Sequence, residues 1–235
     1  MNIALIIAGG CGKRMEQEIP KQFLNVNDKP VILYTMEAFQ KHPDINEMVV
    51  VCISGWHEIL KAYARQFHID KLKYVVDGGN TGQESICNGI MEAQKHYSNS
   101  DLILVHDAIR PMVSQEIISD CIIQCRKCGS AVAVVPCNTA VLGYGDKRDY
   151  ADSVVDRRTL AMTQTPQGFP LGKLLWAHEE ARKRGISESV ATCTLMVELG
   201  ERIYFSMGAE TNIKLTTTDD MKIFKALLSI HNSDE

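Results

Sequence analysis

Short apolar runs alternate with segments of helical periodicity along most of this chain. The apolar runs predict β-strands near residues 2–7, 47–53, 73–76, 102–105, 130–136 and 202–206. Between them, apolar positions spaced three and four apart predict helices at 30–41, 55–67, 84–96, 114–128 and 170–184. This alternation is typical of right-handed crossovers, so the sequence predicts an α/β fold with a mostly parallel sheet and helices on both faces.

Residues 137–157 depart from this alternation. The stretch is polar, with Gly143, Gly145 and a charged run at 146–149, and it predicts a hairpin-like arm that protrudes from the sheet. Such an arm cannot bury itself, so a partner subunit is its simplest host, while a flexible surface loop is the alternative that composition leaves open. No repeat or low-complexity linker interrupts the rest, which predicts a single domain over residues 1–235.

Composition narrows the class of protein. The chain has 235 residues, of which 45% are hydrophobic and 23% charged, enough to bury a full core. Its net charge is -4 and its pI is near 6.0, without a run of basic residues, so we expect no nucleic-acid surface. The apolar start, residues 3–7, is too short for a signal or membrane segment. We therefore expect a cytoplasmic protein that does not bind a membrane.

The eight cysteines are predicted to be reduced thiols, because a chain of this length without a secretory signal does not suggest a disulfide framework. Cys121, Cys125 and Cys128 match the spacing of iron–sulfur ligands in enzymes that cleave S-adenosylmethionine. However, Cys121 and Cys125 fall on the apolar face of a helix that Ser114 can cap and Gly129 can end. We therefore interpret them as packed core thiols.

Candidate chemistry begins where the first strand ends, in Ala8-Gly-Gly-Cys-Gly-Lys-Arg-Met15 followed by Pro20-Lys-Gln22. Glycines allow backbone N–H groups to approach phosphate oxygens, and nearby cations can neutralise charge that develops at phosphorus. The segment therefore predicts a nucleoside triphosphate site; its alternative is a tight strand-to-helix turn with solvated cations. The candidate phosphate-binding residues are Gly9, Gly10, Gly12, Lys13, Arg14 and Lys21.

Two better-known phosphate loops do not fit this segment. A P-loop needs a glycine five positions before its Gly-Lys pair and Ser or Thr after it, whereas Gly12-Lys13 has Ile7 upstream and Arg14 downstream. The dinucleotide-binding pattern needs a third glycine where Met15 stands, and the second strand here ends without a ribose-binding acid. Hydride transfer is therefore not the predicted chemistry.

Further candidates follow later strands, at the edge where parallel sheets bind ligands. The strand at 102–105 leads into His106-Asp-Ala-Ile-Arg-Pro111, in which Asp107 can hold Mg²⁺ and Arg110 can bind a second phosphate. The alternative is a capping aspartate with a structural arginine partner. His106 is expected to orient backbone. The segment from Gly78 to Ser85 can read a base edge or simply turn the chain.

Together these segments resemble one known family, the cytidylyltransferases that act on methylerythritol phosphate or on ribitol phosphate. The matching blocks span nearly the whole chain: Ala8-Gly-Gly-x-Gly-x-Arg-Met15, Pro20-Lys-Gln-Phe23, Gly78-Gly79 with Ser85, His106-Asp-Ala-Ile-Arg-Pro111, Asp156-Arg157, Gln164-Thr-Pro-Gln167 and Asn212-Ile-Lys-Leu-Thr216. The resemblance implies a Rossmann-like nucleotidyltransferase domain whose arm, at about 137–157, reaches across a homodimer.

The resemblance also implies a reaction and a set of site residues. An alditol phosphate oxygen attacks the α-phosphorus of CTP and expels pyrophosphate with Mg²⁺ bound, without a covalent enzyme intermediate. By similarity, Arg14 and Lys21 stabilise the charge that develops at the α-phosphate, Lys214 supports the phosphates, and Asp107 serves the metal. The cytosine end is assigned to Ala8, Gly9, Gly79, Asn80 and Ser85. The polyol phosphate is assigned to Arg110, Thr139, Arg157 and Thr165, with Thr139 and Arg157 serving the neighbouring subunit's pocket.

Departures from the family pattern bear on the acceptor. Ala8-Gly9-Gly10, Asn138-Thr-Ala-Val141 and Cys193 resemble the ribitol type, so we predict D-ribitol 5-phosphate as acceptor and CDP-ribitol as product. Two family features are missing, because Val190-Ala191 replaces a Thr-Asp pair and Gly82 replaces an arginine. The alternatives are 2-C-methyl-D-erythritol 4-phosphate of isoprenoid synthesis, another alditol phosphate, or a non-catalytic nucleotide-binding sensor.

Overall fold

Helices lie on both faces of a central sheet in the computed structural model, which describes residues 1–10, 19–146 and 148–231. The strands in chain order are β1 (Asn2–Ala8), β2 (Asn25–Val26), β3 (Lys29–Pro30), β4 (Glu47–Cys52), β5 (Leu72–Asp77), β6 (Leu102–Asp107), β7 (Ala131–Pro136), β8 (Val141–Tyr144), β9 (Ala151–Val155), β10 (Ala161–Pro170) and β11 (Phe205–Met207).

The helices are α1 (Val31–Lys41), α2 (His57–Gln66), α3 (Gly82–Gln94), α4 (Gln115–Cys128), α5 (Leu171–Arg184), α6 (Thr192–Glu198) and α7 (Thr218–His231). Short 3-10 turns occupy Lys21–Phe23 and Arg157–Thr159. In the described ranges, none of the helices is long and apolar enough to cross a membrane.

Among the described residues the central sheet has seven strands in the order β11-β7-β10-β6-β1-β4-β5. β1 lies between two parallel neighbours, β4 and β6, which explains why its sequence is a continuous apolar run. The register places Ile7 opposite Asp107 and Ala8 opposite Cys52, and Cys52 in turn faces Asp77. The carboxyl ends of β1, β4, β5 and β6 therefore meet at one edge, where the candidate site lies.

The predicted α/β class, with a mostly parallel sheet and helices on both faces, is confirmed. The structure adds β10, which runs antiparallel between β6 and β7 and was not predicted. It also adds α7, whose Phe224 is fully buried and packs edge-on against Tyr34 with ring centroids 5.2 Å apart. The strand predicted at 202–206 begins later, at Phe205.

Each face of the sheet has its own apolar core. One core includes residues of α1, α2 and α4, and the other includes residues of α3, α5 and α6. α4 begins and ends as predicted, because the Ser114 hydroxyl accepts a hydrogen bond from Ile117 N and Gly129 adopts a φ of 80°. Cys121 and Cys125 are buried in the first core, and every cysteine that the structure describes is a free thiol.

The structure places a two-stranded hairpin, β8 with β9, inside the segment predicted to form an arm. In the part of the chain that the structure describes, these strands pair only with each other. Their large apolar side chains point outward, with Leu142, Tyr144 and Val154 exposed by 59%, 74% and 82%. The role of this hairpin in a dimer stays a prediction.

Candidate active site

A cavity of about 250 Å³ opens at the carboxyl edge of the sheet. Two glycine-containing segments form its walls, and Lys21, Asp107 and Lys214 supply charge to it. Nine of the predicted site residues line this cavity: Ala8, Gly9, Gly10, Lys21, Gly79, Asn80, Ser85, Asp107 and Lys214. The structure thus brings together residues from the first strand, the loop before α3, β6 and the segment before α7.

Asp107, at the end of β6, is the centre of a charged cluster. Lys214 Nζ lies 3.0 Å from its Oδ2, and Arg110 Nε donates a hydrogen bond of 3.2 Å to the same oxygen. Arg110 is held in turn, because its Nη1 donates to the Asn212 carbonyl at 2.7 Å. The Asp107 backbone N–H donates to the Thr165 hydroxyl at 3.1 Å. Arg110 and Thr165, both assigned to the acceptor, therefore contact Asp107 rather than line the described cavity.

This environment fixes the charge of two neighbouring groups. Burial acts to raise the pKa of the Asp107 carboxyl, but the Lys214 and Arg110 cations outweigh it and hold that pKa below its ordinary value. Burial lowers the pKa of His106 to about 4, so its ring is neutral near pH 7. His106 Nε2 lies 3.2 Å from the Arg110 carbonyl. A carbonyl only accepts, so Nε2 carries the hydrogen, in keeping with the predicted role of orienting backbone.

The opposite wall is built by close contact between two glycines. A Cβ added to Gly78 would lie 2.9 Å from the Gly9 Cα, so neither loop has room for a side chain at this point. Ser85 fixes the same wall, because its hydroxyl accepts from Gly79 N at 3.0 Å and donates to the Thr81 carbonyl at 2.9 Å. Any contact from Ser85 to a base must share a hydroxyl that already bonds the backbone.

Several predicted residues lie elsewhere. Thr139 and Arg157 are exposed at the base of the β8–β9 hairpin and do not line the described cavity. Arg157 Nη1 donates to the Asn138 carbonyl at 2.7 Å, which ties the two ends of the hairpin together. Gly12, Lys13 and Arg14 lie outside the described residues.

The sequence analysis assigned no role to three amide side chains that organise the site, those of Asn212, Gln164 and Gln22. Asn212 is fully buried, and its Nδ2 donates to Gln164 Oε1 at 3.2 Å and to the Thr165 carbonyl at 2.9 Å, joining β10 to the segment that carries Lys214. Gln22 is equally buried and bonds the first loop. All three lie inside the motif blocks quoted above, which was the available signal.

Gln83 of α3 attaches the segment before α6, where the Thr-Asp pair of the family is missing, to the start of α3. Its Nε2 donates to the Ile186 carbonyl at 2.7 Å, and its Oε1 accepts from Ser189 N at 2.9 Å. Val190 itself is 91% exposed. Cys193 is buried behind this segment, and its backbone N–H donates to Gln167 Oε1 at 2.9 Å.

The chemistry of these donors limits the metal that the site can hold. Among the described residues there is no group of three or more His, Cys, Asp or Glu side chains suited to a metal ion. Asp107 is the one carboxylate among the described residues that line the cavity. A single carboxylate fits Mg²⁺, which proteins commonly bind through one or two carboxylates together with substrate phosphates.

Comparison with curated proteins yields relatives over nearly the full length. The chain is 42% identical to a ribitol-5-phosphate cytidylyltransferase of Lacticaseibacillus paracasei, covering 97% of this chain and 98% of the relative. It is 39% identical to a protein of the same name from Vibrio parahaemolyticus, covering 97% and 96%. A 2-C-methyl-D-erythritol 4-phosphate cytidylyltransferase of Clostridium botulinum is 33% identical, covering 97% of both chains.

Solved structures and a family model give a consistent result. The fold is similar to a 4-diphosphocytidyl-2C-methyl-D-erythritol synthase with a TM-score of 0.80 and 26% identity, covering 97% of this chain and 98% of that one. It is similar to the 2-C-methyl-D-erythritol 4-phosphate cytidylyltransferase of Thermus thermophilus with a TM-score of 0.77 and 28% identity, at the same coverage. The family model described as "IspD: 2-C-methyl-D-erythritol 4-phosphate cytidylyltransferase" matches residues 2–230.

Proposed function

The chain belongs to the IspD family of cytidylyltransferases, and we propose that its reaction is transfer of CMP from CTP to D-ribitol 5-phosphate, giving CDP-ribitol and pyrophosphate. The observation that carries this proposal is the shared cavity of Lys21, Asp107 and Lys214 beside a wall of close-packed glycine backbone. This combination provides cations for a triphosphate and a close-packed backbone wall beside which a base can bind.

The proposed step is a displacement at the α-phosphorus of CTP. A phosphate oxygen of the acceptor forms a bond to that phosphorus, and the bond to the bridging oxygen of the β-phosphate breaks, so pyrophosphate leaves with the electron pair. Such a reaction needs positioning and charge stabilisation more than a proton-transferring base. Lys21 and Lys214 line the cavity from opposite ends of the sequence. They would supply that charge, and so would Arg14, which lies outside the described residues.

Mg²⁺ is part of the proposal, and Asp107 is the residue that would hold it. When bound, the ion would neutralise charge on the triphosphate and orient it. In the structure the Asp107 carboxylate contacts Lys214 and Arg110. We propose that Lys214 turns toward the nucleotide's phosphate oxygens and Arg110 toward the acceptor's phosphate when the substrates bind, which leaves the carboxylate available to the metal.

The choice of acceptor rests on sequence. The relatives named ribitol-5-phosphate cytidylyltransferase share more residues with the chain than does the relative named for methylerythritol phosphate. This agrees with the preference predicted from Ala8-Gly9-Gly10 and from Cys193. 2-C-Methyl-D-erythritol 4-phosphate is the second candidate, favoured by the description of the matching family model.

A homodimer would complete the acceptor pocket. Thr139 and Arg157 lie at the base of a hairpin that exposes apolar side chains and does not line the described cavity of its own chain. We propose that the hairpin packs on a second copy and delivers these two residues to that copy's cavity. We also propose that the enzyme acts in the cytoplasm.

A pyrophosphate-release assay tests the function. Purified protein is given CTP and Mg²⁺ with either ribitol 5-phosphate or methylerythritol 4-phosphate, and parallel reactions replace CTP with UTP or ATP. We expect kcat/KM with CTP and ribitol 5-phosphate to exceed every other combination by at least about tenfold. Preference for methylerythritol 4-phosphate would establish the second candidate. CTP binding by calorimetry without turnover would indicate a nucleotide sensor.

A further inference from the structure

Gln22 is a buried side chain that lines the cavity and has no part in the reaction proposed above. It is 1% exposed, and its Nε2 donates to the Ala8 carbonyl at 2.7 Å and to the Gly10 carbonyl at 3.0 Å. Both hydrogens of the amide are therefore used, on the residues that flank Gly9. Since a buried amide hydrogen bond is costly to break, this contact holds the end of β1 at a fixed distance from residue 22.

Phe23, the residue after Gln22, also anchors the turn that contains Lys21. Phe23 stacks on Trp56 with ring centroids 4.5 Å apart, and its backbone N–H donates to the Pro20 carbonyl at 2.8 Å. Lys21 starts the 3-10 turn that these contacts fix. The two residues that follow Lys21 in the chain are therefore both anchored, Gln22 by its hydrogen bonds and Phe23 by its stack on Trp56.

Gln22 bonds the two residues that flank Gly9, and Gly9 belongs to the wall that the glycine loops form. Gly9 sits between its two carbonyl acceptors and packs against Gly78 and Ser85, with 3.0 Å from an added Cβ to the Gly78 Cα. The Ala8 carbonyl accepts a second hydrogen bond, from Ile53 N at 3.2 Å, so this strand end is already tied to the sheet. Gln22 is thus a direct link between Lys21 and the wall.

We propose that Gln22 is a positioning residue that sets the place of the Lys21 ammonium relative to the Gly9–Gly78 wall, and so relative to the α-phosphate of a nucleotide bound there. The inference rests on the proposed function, in which Lys21 stabilises charge at that phosphate. Gln22 lines the cavity, but its amide hydrogens bond the Ala8 and Gly10 carbonyls, so the proposed role is exerted through Lys21. A displacement of a cation by about 1 Å is enough to reduce a rate strongly, so the loss of Gln22 should be seen in kcat.

A double-mutant cycle on kcat tests the inference. Gln22→Met keeps the length of the side chain and removes its hydrogen bonds, and we expect it to lower kcat by about tenfold or more while KM for CTP changes by less than about threefold. In the Lys21→Ala background, the same substitution should lower kcat by less than about threefold, because the residue that it positions is already absent.

Gln115→Met is the matched control. The Gln115 Nε2 also donates to a backbone carbonyl, that of Ala38 at 2.9 Å, but Gln115 does not line the described cavity. Gln115→Met should leave kcat unchanged, and urea unfolding of both variants measures how much each substitution destabilises the fold. If Gln22→Met does not fold, Gln22→Asn enters the same cycle, since it keeps the amide and moves it back by one methylene.

The outcomes separate the inference from the function. A wild-type protein without turnover would contradict the proposed function. Wild-type turnover with an unchanged kcat in Gln22→Met, or with the full loss repeated in the Lys21→Ala background, would refute the positioning role alone. A loss of kcat that is confined to the background with Lys21 present would support it.

Discussion

Lys214 Nζ lies 3.0 Å from Asp107 Oδ2, although 107 positions separate the two residues in the chain. The contact brings the segment before α7 to the end of β6. It also pairs the carboxylate proposed to hold Mg²⁺ with a cation. Lys214 and the metal proposed for this site would therefore both be attracted to the same carboxylate.

Asp107→Asn should make the reaction depend on higher Mg²⁺ concentrations. The amide keeps the shape of the side chain and loses the charge that holds the metal and attracts Lys214 and Arg110. We expect the Mg²⁺ concentration for half-maximal activity to rise by about tenfold or more, and kcat to fall. A Mg²⁺ titration of pyrophosphate release measures this, with Asp70→Asn, an exposed carboxylate away from the cavity, as control. An unchanged titration curve would remove Asp107 from the metal site.

Lys21→Ala should lower kcat by roughly a hundredfold or more and leave the fold intact. Lys21 lines the cavity and is proposed to stabilise charge at the α-phosphate. The measurement is steady-state kcat alongside circular dichroism and thermal unfolding. Lys73→Ala, at an exposed lysine on β5, should keep the wild-type kcat. Equal rates in the two variants would exclude Lys21 from the mechanism.

Gly82→Arg should strengthen CTP binding. Gly82 borders the cavity at the start of α3, stands where the family has arginine, and has no described atom within 4 Å of an added Cβ. A new cation beside a triphosphate contributes about 1 kcal/mol, so KM for CTP should fall about fivefold. Gly82→Gln is the neutral control of similar reach. If both variants change KM equally, the effect does not come from charge.

Mixed subunits test the exchange of hairpins. If Arg157 serves the neighbouring chain, a hybrid of Lys21→Ala and Arg157→Ala subunits contains one site with both residues intact. Unfolding and refolding an equal mixture should restore about a quarter of wild-type activity from two nearly inactive parents. Native mass spectrometry confirms that hybrids have formed. Hybrids without activity would show that Arg157 does not complete a partner's pocket.

Buried neutral histidines should make the fold sensitive to acid. Burial lowers the pKa of His178 to about 4, below its ordinary 6.5, so the unfolded chain takes up a proton that the folded chain does not. The stability from this group is complete above pH 6.5 and is lost as pH falls toward 4. Between pH 7 and pH 5 it should cost about 2 kcal/mol of unfolding free energy.

Urea unfolding of His178→Met at pH 7 and pH 5 measures this contribution. The variant should lose less stability than the wild type on acidification, although its stability at pH 7 differs. His68→Asn is the control, since His68 is exposed and has a φ of 54° that asparagine tolerates. It should keep the wild-type pH dependence. A His178→Met variant with the same pH dependence would show that this ring does not resist protonation.

The local sequence pattern predicted most strands and helices correctly. Apolar runs such as β1 and helix caps such as Ser114 can be recognised from neighbouring residues alone. β10 was missed since its sequence, Ala161-Met-Thr-Gln-Thr-Pro-Gln-Gly-Phe-Pro170, is rich in residues that strands avoid. It is held between β6 and β7, and its pairing register with β7 shifts between Thr163 and Gln167. That stabilisation comes from tertiary pairing, which no local window contains.

The site was predictable where residues follow strands, because the carboxyl ends of parallel strands meet at one edge. Asp107 and Gly9 were found in this way. The pairing of Asp107 with Lys214 could not be derived from spacing, and only the family resemblance pointed to Lys214. The amides of Gln22 and Asn212 were overlooked since buried amides have no sequence pattern that separates them from surface ones.

The contact between Gly9 and Gly78 limits how the enzyme can be adapted to unnatural nucleotides. Replacing either glycine by a larger residue would force the two backbone segments apart, so a mutant library should leave both positions unchanged. Asn80 is exposed and Gly82 borders space that described atoms leave open, which makes these two positions the practical targets for directed evolution. A changed base preference should therefore arise from substitutions at Asn80 and Gly82, while Gly9 and Gly78 remain glycine.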